Sequence, residues 1–271
     1  MKNEMAMVLR TTDLYNLSKS LEILDSKEKL IKICNKYLIF FLANNKDIDL
    51  YIIIDSKNEN YIKLINEIYS KHATIIEKYS GSNSASFSYQ IEFSKTLSNK
   101  YKYLYIGEDD YLFLGKINFQ ELNAYDEDTI FTNYNHPDYQ KPIRKFLRKI
   151  DNGNYHTLCM SFFLKSNNLL NIEYLLLKFN LFSDGEVWAL NFKPFIFYLW
   201  ILKNIFNKKI EKKKLIKQYI NLKKDKKLKS FNIILVKNSE SIQLSNDGLP
   251  LKYSFINSFK KTEQLNYFLN T

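Results

Sequence analysis

The chain has 271 residues, 45% of them apolar, which is enough for a sizeable core and too many for a disordered chain. Gly and Pro number only 6 and 4, which argues against a turn-rich β-sandwich and for long helices. Formal net charge is +11, yet only Arg10, Arg144 and Arg148 among the 40 basic residues are arginines. Such a lysine excess suits general attraction to an anionic surface better than bidentate reading of bases and phosphates.

The predicted elements alternate. Ala6 to Arg10 reads as a short buried strand, and Thr12 or Asp13 is placed to cap the next helix. Helical periodicity follows from Asp13 to about Asn45, and Asp49 to Ser56 is a second strand ending in Asp55. A helix from about Asn58 to Lys71 leads to a short third strand in ATIIEKYS. The small-residue loop Ser80 to Phe87 opens a helix over Ser86 to Leu97. A run of β-formers from Tyr101 then breaks into Glu108, Asp109 and Asp110 before apolar residues resume. β-α-β-α-β-α-β over the first 115 residues predicts a parallel sheet with helices on both faces.

Beyond this half, Asp128 to Gln140 reads as a strand running into a polar loop, and His156 to Asn167 as another strand. SDGEVWALNF, Ser183 to Phe192, reads as the start of a helix capped by Ser183 or Asp184. Asn232 to Asn238 is a strand, and SIQLSNDGLPLKYS is a turn-bearing segment. The chain divides into a half over 1–115 and a half over 116–271, in one globular unit, the second carrying a basic helical segment over 195–229. Neither GxGxxG nor GxxxxGK[ST] occurs, so a dinucleotide fold and a P-loop are both unsupported.

Three adjacent carboxylates at a strand end repel one another unless positive charge lies among them. A hard divalent cation held by oxygen ligands, shared with a substrate phosphate, is the usual remedy, and the carboxyl end of a parallel strand is where open α/β sheets bind ligands. An acidic turn facing water is the plain alternative. The cysteines, Cys34 and Cys159, lie in apolar runs with no metal-ligand spacing and read as buried thiols of a reducing compartment. His72, His136 and His156 lie far apart, with no spacing for a zinc site. The N-terminus carries no apolar run of signal-peptide length, and the stretch from Pro194 to Phe206, broken by Lys203, is too short to span a bilayer. The expected location is cytoplasmic, with peripheral attachment to the inner membrane face as an option.

The ordered set formed by the Thr11–Thr12–Asp13 turn, Asp55, the loop Ser80 to Phe87 and the Glu108–Asp109–Asp110 triplet resembles the GT-A-fold glycosyltransferases. The resemblance covers Met5 to about Leu114 and continues loosely through Asp184 to Trp188. It implies a GT-A-like, Rossmann-like, mostly parallel sheet with helices on both faces and a basic helical C-terminal region. It also implies a nucleotide-sugar donor, UDP-linked, and a divalent metal, Mn²⁺ or Mg²⁺, at Asp110 and Glu108, with Asp109 between them. Glu108 departs from the family's Asp. By the same resemblance the 1–115 half binds the nucleotide-sugar and the 116–271 half the acceptor. Asp55 corresponds to the acid that accepts a hydrogen bond from uracil, and Thr11, Thr12 and Asp13 lie where the first strand opens under the nucleotide.

In SDGEVW, Asp184 or Glu186 corresponds to the general base of inverting members, although Gly185 separates what are usually adjacent acids, and acids at a helix start also need no catalytic reason. The implied acceptor is a glycan or lipid-linked glycan of a surface polysaccharide. The lysines from Lys203 to Lys229, interleaved with Ile, Leu, Phe and Tyr, form an amphipathic basic segment suited to an anionic membrane surface or to a solvated face. Two other classes compete. A sugar nucleotidyltransferase needs a Gly-rich basic loop that RTTDLYN lacks. A basic nucleic-acid module is disfavoured by the clustered carboxylates, so no nucleic-acid partner is expected.

Overall fold

The computed structural model describes residues 3–13, 22–81, 83–133, 157–158, 161–169, 189–190, 232–236 and 238–243. In chain order these form β1 (Met5–Thr12), α1 (Glu22–Asn44), β2 (Ile48–Asp55), α2 (Glu59–Tyr69), β3 (Thr74–Glu77), α3 (Asn83–Thr96), β4 (Tyr103–Glu108), β5 (Tyr111–Gly115), α4 (Phe119–Asn123), β6 (Thr129–Thr132), β7 (Thr157–Leu158), β8 (Phe162–Lys165), β9 (Ala189–Leu190), β10 (Asn232–Leu235) and β11 (Ser239–Gln243). Seven strands build one sheet in the order β10-β6-β8-β4-β1-β2-β3. β3, β2, β1 and β4 run parallel, β8 runs antiparallel to both β4 and β6, and β10 is parallel to β6. The mostly parallel α/β class expected from the alternation is therefore the class observed.

β1 is buried along nearly its whole length, as a central parallel strand covered on both faces should be. Its alternate residues face different helices. Met5, Met7 and Leu9 join Ile31, Leu38 and Phe41 of α1 and Tyr61, Ile65 and Tyr69 of α2 in the main core. On the opposite face lies α3, which packs on β1 and β4. α2 is stopped and started locally: Asn58 caps it by accepting from the Asn60 and Tyr61 amides at 3.1 and 3.3 Å, and Tyr61, Ile65 and Tyr69 repeat every fourth residue to form its buried stripe. Tyr105, Phe163 and Phe131 stack across β4, β8 and β6 with centroids 5.5 and 5.3 Å apart.

β4 ends at Glu108, as expected of a strand closing in the acidic triplet, while several other sequence expectations change. Asp109 and Asp110 form a two-residue turn, after which β5 leaves the main sheet and pairs antiparallel with β11. β11 occupies the start of the segment read as turn-bearing. Its inward residues Ser239 and Ser241 are polar, so its period-2 pattern lacks a hydrophobic signature. Thr12 ends β1 and donates to the Asp55 carbonyl at 2.9 Å, and Asp13 sits in the bend that follows; the helix start they were expected to cap lies outside the described residues, and the described part of α1 begins at Glu22. Ala189–Leu190, expected in a helix from Ser183 to Phe192, forms β9 against Thr157–Leu158, because tertiary strand pairing overrides local helical preference. Ser183 to Trp188, the loop 134–140 and the basic segment 195–229 lie outside the described residues. Among the described residues no helix is long and apolar enough to cross a membrane.

Candidate functional site

β1, β2 and β3 succeed one another in one direction across the sheet, whereas β4 lies on the other side of β1. The switch in strand order therefore falls between β1 and β4, and the crevice outside such a switch point is where open α/β sheets bind ligands. The described members of the sequence-predicted set lie at the C-terminal ends of β1, β2 and β4. Arg10 is in register with Glu108, and Thr12 with Asp55. Asp109 continues the β4 direction, its amide donating to the Arg10 carbonyl at 3.2 Å.

The three acids do not share one environment. Glu108 is ion-paired with Arg10, whose side chain is 1% exposed against 22% for Glu108. Arg10 also lies 5.8 Å from the Phe87 ring centroid on α3. Asp109 is held from the other face of the sheet. Thr11 donates to its carboxylate, and the Thr11 hydroxyl is in turn bonded to that of Tyr61 on α2. Tyr69 behind this chain is raised well above the ordinary tyrosine value, first by burial and then by the Asp109 charge. Asp110 stands at the turn, half-buried. Among the described residues no group of three or more His, Cys, Asp or Glu side chains is placed to hold a metal ion. The triplet does not fit a preformed cage of three carboxylates, because Arg10 and Thr11 draw its first two members to opposite faces.

Asp55 is fully buried at the end of β2. One carboxylate oxygen accepts the Ser80 amide at 2.7 Å, and the other has no hydrogen-bond partner among the described residues. An acceptor left in this state is costly unless a ligand or water supplies a donor. Arg10 is buried and paired with Glu108. Asp184 and Glu186 fall outside the described residues.

Sequence reading passed over the stripe that seats α3. Ser86, Gln90 and Ser94, spaced by four, are all buried against the sheet. The Gln90 amide donates to the Val8 and Gly107 carbonyls at 2.9 and 2.8 Å, bridging β1 and β4 directly below Arg10 and Glu108. On the opposite face, the α1 and α2 side, a Cβ at Gly107 would meet Leu9 Cδ2 at 2.9 Å. The spacing of polar residues on an otherwise unpatterned helix was the available signal. A second buried network was also missed. Tyr105 bonds Asn133 at 2.6 Å and Ser161 at 2.5 Å, and Ser161 bonds Ser241 at 2.8 Å. Ser161 adopts φ +74°, a left-handed conformation uncommon outside glycine, at the site end of β8.

No protein-family model matches the chain, and no curated protein matches it. Solved structures similar to it include glycosyltransferases. The galactosyltransferase LgtC in complex with donor and acceptor sugar analogues is 11% identical over 59% of this chain and 58% of that one, with a TM-score of 0.35. An active-site mutant of LgtC is 10% identical over 60% and 57% of the two chains, with a TM-score of 0.36. Mouse xyloside xylosyltransferase 1 in its apo form is 9% identical over 63% and 68%, with a TM-score of 0.38. The matched region spans under two-thirds of the two LgtC chains. The functional reading of this chain rests on its own residues.

Proposed function

We propose that this chain is a glycosyltransferase that moves a sugar from a UDP-linked donor to a hydroxyl of a surface glycan, of capsule, lipooligosaccharide or O-antigen type. The observation that carries the reading is Asp55: a buried carboxylate at the switch-point crevice, one oxygen fixed by Ser80 and the other lacking a partner among the described residues. An acceptor of that kind suits a base that presents a ring N–H, as uracil does, and opposes one that presents a lone pair there. Thr12 and Asp13 lie at the mouth of β1 beneath such a nucleotide, with Thr11 buried behind them.

In the inverting form of this reading, Asp184 or Glu186 takes the proton of the acceptor hydroxyl. The new bond forms from that oxygen to the anomeric carbon. The bond from the anomeric carbon to the phosphate oxygen breaks, and its electron pair leaves with the nucleoside diphosphate. Mn²⁺ or Mg²⁺, carried at Asp110, would supply Lewis-acid neutralisation of the departing diphosphate. The lysines of 195–229 would hold the protein at an anionic membrane surface near a lipid-linked acceptor.

Calorimetric titration of UDP, GDP and CDP, with and without Mn²⁺, tests the reading. Micromolar binding of UDP that weakens with chelator and in Asp110→Asn supports it. Absence of binding by every nucleoside diphosphate removes it and favours a basic surface-binding module.

A further inference from the structure

We infer that Arg10 is a built-in counter-ion that withholds Glu108 from metal coordination, so that a divalent ion is recruited to this site by the donor diphosphate and is not preloaded on the acidic triplet. The ion-recruitment half of this inference rests on the donor-site reading; the Arg10–Glu108 half rests on geometry alone.

Arg10 lies on the central strand, in register with Glu108 on its neighbour, so the backbone ladder fixes the two Cα atoms side by side. Its side chain is 1% exposed and its guanidinium packs near Phe87. The planar fork of an arginine suits a carboxylate. The positive charge among the clustered acids is thus already supplied by the protein. Gln90, bonded to the Val8 and Gly107 carbonyls just below, keeps α3 and hence Phe87 seated on the same face. Asp109 is anchored on the opposite face through Thr11. A hard divalent cation wants six or more oxygen ligands. With two of the three acids drawn to opposite faces, most of that shell must come from the donor's phosphates and water.

Removing the arginine should release a carboxylate that is already partly exposed. Manganese titrations followed by electron paramagnetic resonance test this without any turnover. Without nucleotide, Arg10→Met should bind Mn²⁺ at least about tenfold more tightly than the unaltered protein, because the released Glu108 joins Asp110. The double change Arg10→Met with Glu108→Gln should lose that gain. In the otherwise unaltered protein with UDP, Glu108→Gln should leave the Mn²⁺ affinity within about threefold.

A folded Arg10→Met with no gain in nucleotide-free Mn²⁺ binding overturns the inference. So does tight Mn²⁺ binding by the unaltered protein alone, or a tenfold loss in Glu108→Gln with UDP. Should Arg10→Met lose its far-ultraviolet dichroism, the Glu108→Gln comparison decides by itself. Failure of UDP to bind removes the donor-site reading, and the nucleotide-free comparison still decides the role of Arg10.

Discussion

The end of β2 poses a residue-scale question of what Asp55 is for, since a buried carboxylate oxygen without a donor has a cost. Asp55→Asn preserves the acceptor that receives the Ser80 amide and replaces the other oxygen with an N–H donor. The fold should tolerate it, whereas a uracil N–H would then face another donor. We expect UDP affinity to fall by about 1.5–3 kcal/mol, roughly tenfold to a hundredfold, as for loss of a hydrogen bond to a charged group. Calorimetry alongside a thermal melt separates the two effects, and unchanged UDP binding would remove Asp55 from the site. Gly107 illustrates a different residue-scale constraint. In Gly107→Ala the new methyl meets Leu9 at 2.9 Å and Tyr105 at 3.2 Å, so overpacking should cost about 1–3 kcal/mol in a denaturant titration.

Among the elements, α3 and β5 show how secondary structure serves the site. α3 presents Ser86, Gln90 and Ser94 to the sheet where an ordinary helix would present leucine. Gln90→Leu should destabilise the protein by about 1–3 kcal/mol, because it leaves two buried carbonyls without their donor. It should also weaken nucleotide binding by loosening the seat of Arg10 and Glu108; full affinity at reduced stability would show that the bridge serves the fold alone. β5 depends on Gly115, which has φ +80° and whose Cβ would lie 2.2 Å from the Asn238 carbonyl. Gly115→Ala should therefore open the β5–β11 pair. Hydrogen exchange would report this as lost protection across Tyr111–Gly115 while β1 and β2 stay protected.

For the whole molecule, buried titratable groups set the pH range of stability. Burial lowers His72, bonded to Asn35 at 2.9 Å, below the ordinary histidine value of 6.5. The unfolded chain then takes up the proton first, so this contribution is complete above pH 6.5 and is lost as pH falls through the folded-state value. At the alkaline end, burial pushes Tyr103 from 10.0 up to about 12 and also raises Tyr69, Tyr101 and Tyr105. The unfolded chain loses those protons first, and stability should decline as pH rises from 10 towards 12. Urea titrations across pH should give a plateau with a fall on each side, and His72→Gln should flatten the acid limb. A monotonic profile would contradict the burial of these groups.

The sequence by itself determined the alternating α/β order of the first 115 residues, because β1, β2 and β4 are apolar runs that end in polar residues, and α2 carries a stripe of fourfold spacing. It also singled out Thr11, Asp55 and the acidic triplet, since polar groups closing a buried strand have few purely structural explanations. The tertiary structure alone decided what those groups do to one another. Register set Arg10 against Glu108, and the pleat sent Asp109 to the opposite face, towards Thr11 and Tyr61. Strand pairing made β11 of a serine-bearing segment and β9 of an expected helix. Periodicity records which side of an element is apolar; it carries no record of which neighbour each polar side will meet, and that pairing fixed the charge balance of the crevice.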